Sequence, residues 1–451
     1  MTNSINLREL VLDMLIEINE NNAFSHVVLK KMLSKYQYLQ KQERSYITKV
    51  TEGTVEKIIQ LDYIIDSFSN TKVRKMKPVI RNIIRMSVYE IFYMDSVPDS
   101  AACNEAVKLS IKRGFSGLKG FVNGVLRNIS RNKDNIKYPN PSEDLVLYLK
   151  VKHSMPDWII EQLVHQYGVE DAVRIIEGFE KRYEYLTVRC GIMYEVSDIV
   201  KELESEGVTV IQNPLYKYAL DIKDYDYLSK LNVFNEGKIN VQDVSSMLVA
   251  HIANPKKDDF CIDLCAAPGG KTIHLAELLE GTGNVISRDV SEYKLGLLAD
   301  NIERCGLENV EVELADATVL DEKLIEKADV VIADLPCSGL GVIGKKSDIK
   351  YNMTMEKQEE LVALQRKILA NAWKYLKPNG VLIYSTCTIN KKENIENLNW
   401  LLNEFPLEAE DISNYFDDEY KCETMKDGYI QMLPGINHTD GFFISKMRKK
   451  G

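Results

Sequence analysis

Apolar positions in the first third of the chain recur with the 3.6-residue period of a helix. In LRELVLDMLIEINE, Leu7, Leu10, Val11, Met14, Leu15 and Ile18 fall on one face. The same stripe runs through ITKVTEGTVEKIIQLDYIIDSF and PVIRNIIRMSVYEIFYM, and Pro78 and Pro98 stand where a helix begins or ends. Residues 1–138 are therefore expected to form an all-α domain. The polar, proline-marked stretch RNKDNIKYPNPSED, residues 131–144, reads as a linker. Beyond it, helical segments (DWIIEQLVHQY, VSDIVKELESEG) mix with short β-rich ones (YLTVRC, VTVIQ), which fits a small α+β module over residues 139–235.

From about residue 258 the pattern changes again. FCIDL, NVISRD, NVEVELAD, DVVIADLP and GVLIYSTC are short apolar runs separated by amphipathic helical segments. Strands alternating with helices imply a mostly parallel sheet covered on both faces, so residues 236–451 are expected to form an α/β Rossmann-like domain. Ligands of such sheets bind beyond the carboxyl ends of the strands.

Composition narrows the class. The 451 residues are 45% hydrophobic and 27% charged, as in a soluble globular protein of several domains. No segment approaches the ~18 uninterrupted apolar residues of a membrane span, and MTNSINLREL has no secretory pattern, so a cytoplasmic location is expected. The cysteines and histidines show no metal-ligand spacing, so no metal site is expected. The net charge of −10 conceals an asymmetry: residues 1–140 hold 22 Lys and Arg against 14 Asp and Glu. A basic first third in an acidic protein suggests that this third meets a polyanion. Lys72, Arg74, Lys75, Lys77, Arg81 and Arg85 cluster within fourteen residues, with Lys112, Arg113 and Lys119 in the same domain, and they are the candidate phosphate contacts.

The strand ends hold the candidate chemistry. The first strand of the α/β region runs into CAAPGGKT, where Gly269 and Gly270 permit a sharp turn onto a helix N-terminus. The second ends at Asp289, placed to accept from two ribose hydroxyls, and Asp316 follows the third, where it can accept from an adenine amine. A single Gly-Gly pair instead of GxGxxG disfavours a dinucleotide, and a nucleoside-bearing cofactor remains. The fourth strand ends in ADLPCSGLG and the fifth in STC, which brings Asp334, Cys337 and Cys387 to one edge. Two thiols and a carboxylate there suit covalent catalysis, in which a thiolate adds to an electron-poor ring carbon and the carboxyl group stabilises the charge that develops.

CAAPGGKT, ADLPCSGLGV and YSTCT with the downstream KKENIENL resemble the signature segments of RNA 5-methylcytosine methyltransferases, and among them the small-subunit ribosomal RNA methyltransferase B group, also called the Sun or Fmu family. VPDSAACNEAVKLSIKRGFSGLKGFVNGVLRNISR is similar to the end of a NusB-like RNA-binding domain, which that group carries at its N-terminus. The resemblance implies S-adenosyl-L-methionine as cofactor, held by Cys265, Ala266, Ala267, Pro268, Gly269, Gly270, Lys271, Asp289, Asp316 and Asp334. It implies Cys387 as the nucleophile on a cytosine, Cys337 as the residue that helps release the product, and small-subunit (16S) ribosomal RNA as the partner of a monomeric enzyme. A transfer RNA cytosine as target, or a non-catalytic rRNA-binding assembly factor, stays open. Two departures from the family pattern stand out: Arg288 before Asp289, and the lysine-rich loop GKKSDIKY, in which Lys345 and Lys346 face either phosphate or solvent.

Overall fold

A computed structural model describes residues 5–21, 23–181, 185–437 and 439–451. The chain divides into two compact units: residues 1–180 with 343–352, and residues 181–342 with 353–451.

The first unit is all-α. Its longer helices are α1 (Leu7–Asn21), α2 (Ser25–Lys35), α3 (Lys41–Glu56), α4 (Ile58–Phe68), α5 (Pro78–Tyr93), α6 (Asp99–Lys112), α7 (Lys119–Arg131), α8 (Leu145–Lys152) and α9 (Asp157–Glu180). Pro78 opens α5, where its missing amide costs nothing, and Pro98 caps α6. The stripe of α1 is buried through Leu10, Val11, Met14, Leu15 and Ile18. Glu90 is also buried, and accepts from Arg8 at 2.7 Å and from the Tyr46 hydroxyl at 2.6 Å. Those two donors offset the cost of taking its charge out of water.

The expected boundary at 138 falls inside this unit. Helices α8 and α9 stay with the bundle because its polar groups need them: the amides of Ile59 and Gln60 donate to Ser154 Oγ at 2.9 and 3.3 Å, and Gln60 Nε2 donates to the Lys152 carbonyl at 3.1 Å. The lysine-rich loop folds here as well. Asp348 is buried and accepts from the Ser25 amide at 3.1 Å and its hydroxyl at 2.7 Å, serving the α2 N-terminus. Lys350, also buried, donates to the Glu56 carbonyl at 2.8 Å, where α3 ends. Only Gly344, Lys345 and Lys346 of residues 343–350 are exposed, so most of this loop is a structural tie.

The second unit begins with an antiparallel sheet of β1 (Leu186–Cys190), β2 (Thr209–Gln212), β3 (Ala219–Lys223) and β4 (Ile239–Val241), ordered β2-β3-β1-β4. Helices α10 (Val196–Ser205) and α11 (Asn232–Asn235) complete it. Val241 pairs with Val188, so the module continues past the expected end at 235.

The larger sheet follows α12 (Val244–Ala253). Its strands are β5 (Phe260–Asp263), β6 (Asn284–Asp289), β7 (Val310–Leu314), β8 (Ala328–Asp334), β9 (Leu376–Thr386), β10 (Leu407–Ala409), β11 (Tyr429–Met432) and β12 (Phe442–Lys449). The parallel part runs β9-β8-β5-β6-β7, while β12 adds antiparallel to β9 and itself pairs β10 and β11. Alternate residues of the central strands feed opposite cores: Val330, Ile332, Val381 and Ile383 one, Val331, Ala333, Leu382 and Tyr384 the other. That two-sided burial is why these runs read as continuous apolar segments. The chain winds outward from β5 through β6 to β7, then crosses back to β8. The crevice opens at that reversal.

Candidate active site

The turn after β5 shapes one wall of the crevice. Gly269 has φ 111°, and a Cβ there would stand 2.4 Å from Leu298 Cδ1, so only glycine fits. The turn delivers Lys271 into the first turn of α13 (Gly270–Leu278). Its ammonium bonds Asp334 Oδ2 at 2.7 Å and Ser246 Oγ at 2.8 Å. Burial, the largest single influence, would lower the lysine's pKa, but the Asp334 carboxylate, helped by smaller contributions from Asp263 and Cys387, leaves it raised. Lys271 therefore stays charged.

Asp334 ends β8 in register with Ser385 of β9, whose hydroxyl donates to Asp334 Oδ1 at 2.8 Å. Three residues beyond Asp334 stands Cys337, and one residue beyond β9 stands Cys387. Their sulfurs are 3.4 Å apart, and both side chains are partly accessible. The two cysteine segments touch through backbone: the Gly341 amide donates to the Cys387 carbonyl at 3.1 Å, and a Cβ on Gly341 would meet Gly441 O at 2.0 Å. The Cys337 thiol is held well above its ordinary pKa, first by its hydrogen bond to Cys387, then by burial and by Glu393. It is a proton-bearing group beside a second sulfur.

A cavity of about 680 Å³ reaches this edge at Asp334 and is lined by Cys265, Ala267, Asp289, Asp316 and Asp334 among the expected cofactor residues. Val290, Ala317 and Pro336 supply apolar wall, and Lys294 is a lining residue that the sequence did not single out. Carboxylates at the ends of β6 and β7 beside apolar surface suit a nucleoside's hydroxyls, amine and ring. Ala266, Pro268, Gly269, Gly270 and Lys271 are not part of this lining: the glycines shape the turn, and Lys271 turns to Asp334. Burial pushes the Cys265 thiol up, which makes it a wall group. Arg288 is committed to Glu313 and Asp321, at 2.7 Å each.

The basic cluster of the helical unit divides. Lys72, Arg74, Lys75 and Lys77 are exposed. Arg81 is paired with Glu20, and Arg85 forks onto Asp62 with two bonds of 2.7 Å. These two arginines hold the bundle together. Lys112 and Arg113 are likewise drawn to Glu9 and Asp13.

Comparison with known proteins finds two family matches. Residues 5–131 match the NusB family, and residues 250–448 match 16S rRNA methyltransferase RsmB/F. The chain is 35% identical over 448 residues to a probable ribosomal RNA small subunit methyltransferase B of Bacillus subtilis (strain 168), covering 99% of both. It is 30% identical over 450 residues to a protein of the same description from Synechocystis sp., covering 99% of this chain and all of the other. Among solved structures, PH0851 superposes with a TM-score of 0.82 at 27% identity over 99% of both chains. NSun6 from Pyrococcus horikoshii, solved with SFG, superposes with a TM-score of 0.58 at 25% identity, covering 66% of this chain and 98% of that one.

Proposed function

The chain belongs to the ribosomal RNA small subunit methyltransferase B family, and from that premise we propose that it methylates carbon 5 of a cytosine in 16S ribosomal RNA through a covalent adduct at Cys387. The coarser activity, S-adenosylmethionine-dependent RNA methylation, follows from the family. The finer reading rests on one observation: two sulfurs stand 3.4 Å apart, one of them three residues past an Asp334 that pairs with Lys271 and itself lines a cavity of about 680 Å³.

S-adenosylmethionine, when bound, supplies an electrophilic methyl group. Asp289 would hold its ribose hydroxyls and Asp316 its adenine amine. The chain's own residues then have to make carbon 5 nucleophilic, because an intact cytosine ring does not attack a methyl sulfonium. The Lys271 charge favours the thiolate of Cys387. That thiolate bonds to carbon 6, and the displaced electron pair makes carbon 5 enamine-like. Asp334, paired with the lysine ammonium, accepts from the exocyclic amine as the ring turns. Uracil presents a carbonyl there, so the same carboxylate disfavours it. After carbon 5 has taken the methyl group, its proton must leave and the S–C6 bond must break. Cys337 balances this step by passing its thiol proton to the departing sulfur and taking up the proton lost from carbon 5.

A base stacked in an A-form helix does not reach these thiols, so the target is unpaired or flipped out. Exposed Lys72, Arg74, Lys75 and Lys77 supply phosphate grip on the NusB-type unit. Incubating the protein with methyl-labelled S-adenosylmethionine and either 16S ribosomal RNA or transfer RNA, followed by nucleoside analysis, tests the reading. Label in 5-methylcytidine from 16S RNA is expected. Label in transfer RNA alone, or in another nucleoside, would overturn the target or the chemistry, and absence of label from all RNA would leave the assembly-factor reading.

A further inference from the structure

Resting on the two-cysteine reading, we propose that Glu393 is a positioning residue, a buried carboxylate clamp that fixes Cys337 against Cys387. Glu393 lies in the segment after β9, six residues past Cys387, and is fully buried. Its Oε2 accepts from the Ser338 amide at 2.9 Å and from Gln365 Nε2 at 3.0 Å. Its Oε1 accepts from the Ser338 hydroxyl at 2.5 Å and from Asn390 Nδ2 at 3.1 Å. All four donors are neutral, and they come from the cysteine loop after β8, from the helix Met355–Tyr375 and from the segment after Cys387.

The consequence for Cys337 is specific. On one side, the Pro336 carbonyl is taken by Gln365 Nε2 at 2.9 Å; on the other, the Ser338 amide is taken by Glu393. Both groups are bonded to the same carboxylate network, so the residue between them has little freedom to swing. Ser338 Oγ also meets Thr388 Oγ1 at 2.7 Å, which stitches the residues next to each cysteine together. A hydrophobic contact would hold the loops just as close. A carboxylate with four donors in addition sets direction, because each hydrogen bond weakens steeply off its axis. Its negative charge also stands near the Cys337 sulfur and helps keep that thiol protonated. Glu393 touches neither reacting base nor methyl donor in this account; it acts through Cys337.

The clamp predicts a split between the two halves of turnover. In Glu393→Ala the first methyl transfer in a single turnover stays within about threefold of wild type, while resolution of the protein–RNA adduct slows at least tenfold. A merely structural loss would depress both together. Glu393→Gln, the same shape with one acceptor oxygen in place of two, is expected to fall between, and it decides the matter if the alanine variant does not fold by circular dichroism.

A second readout does not depend on catalysis. Diamide, which takes two electrons and two protons from a thiol pair, is expected to cross-link Cys337 to Cys387 in the full-length protein. The cross-link forms at least tenfold more slowly in the alanine variant and more slowly than wild type in the glutamine variant, as read by peptide mass spectrometry. Wild-type cross-linking and wild-type adduct resolution in both variants would overturn the clamp. If wild-type protein forms no RNA adduct, the cytosine-5 reading fails, and the cross-linking rates alone then decide the role of Glu393.

Discussion

At the scale of single residues, Lys271 shows how far a motif can be read. CAAPGGKT marks the turn after β5, and Gly269 does what a glycine there must do. The lysine in the same motif is not among the residues lining the cavity; its long stem carries the ammonium to Asp334, which does line it, and to Ser246. Its replacement should therefore damage chemistry more than cofactor binding. Lys271→Ala is expected to lower the single-turnover methylation rate by about 10²–10³-fold, the usual cost of one preorganised charge, with the S-adenosylmethionine Kd moved less than about threefold. Equilibrium binding set against rapid-quench kinetics separates the two, and a large loss of affinity at an unchanged rate would return Lys271 to the cofactor site. Asp334, Cys337 and Cys387 were legible because each sits at the end of an apolar strand, where sheet geometry converges. Glu393 was not, because KKENIENL reads as a signature segment but nothing within it tells a buried acid from an exposed one. Its burial depends on which loops pack over it, and neither composition nor periodicity encodes that.

At the scale of elements, strands were legible and boundaries were not. The two-sided burial of β8 and β9 leaves the apolar runs VVIA and GVLIY in the sequence. By contrast, the attachment of α8 and α9 to the bundle rests on scattered polar bonds from Ser154 and Lys152, which no period signals. The segment 343–352 is the extreme case: it looks solvated, yet Asp348 and Lys350 serve helix ends inside the first unit. Lys350 carries a testable cost. Burial lowers its pKa to about 7, with Glu56 opposing and Lys57 adding to the shift. The unfolded chain binds that proton more tightly, so stability is depressed at and below neutral pH and recovers as pH rises from about 7 towards the ordinary lysine value of about 10.4. Removing the titrating group in Lys350→Met should therefore help most at low pH. Its stability relative to wild type is expected to be greater at pH 7 than at pH 9.5 by an amount on the order of 2–3 kcal/mol. Urea unfolding at both pH values checks this, and a difference independent of pH would mean that the lysine is charged in the folded state.

At the scale of the whole molecule, the exposed candidate phosphate contacts Lys72, Arg74, Lys75 and Lys77 lie in the NusB-type unit, and the sulfur pair lies in the other. RNA grip and methyl transfer should then be separable by mutation. Reversing Lys72, Arg74 and Lys75 to Glu is expected to weaken 16S RNA binding at least tenfold near physiological salt and to reduce the salt slope by about 2–3, for about three lost phosphate contacts. The same reversal at Arg85 should show itself as lost stability, since that side chain is spent on Asp62. Unchanged affinity and slope in the triple variant would move the RNA-binding face elsewhere. The central claim concerns the sulfur pair, and the most direct measurement is denaturing electrophoresis of protein incubated with S-adenosylmethionine and labelled 16S ribosomal RNA. A covalent protein–RNA band that accumulates in Cys337→Ser and disappears when Cys387→Ser is added is the predicted result; a band that survives loss of Cys387, or methylated RNA formed without it, would contradict the account.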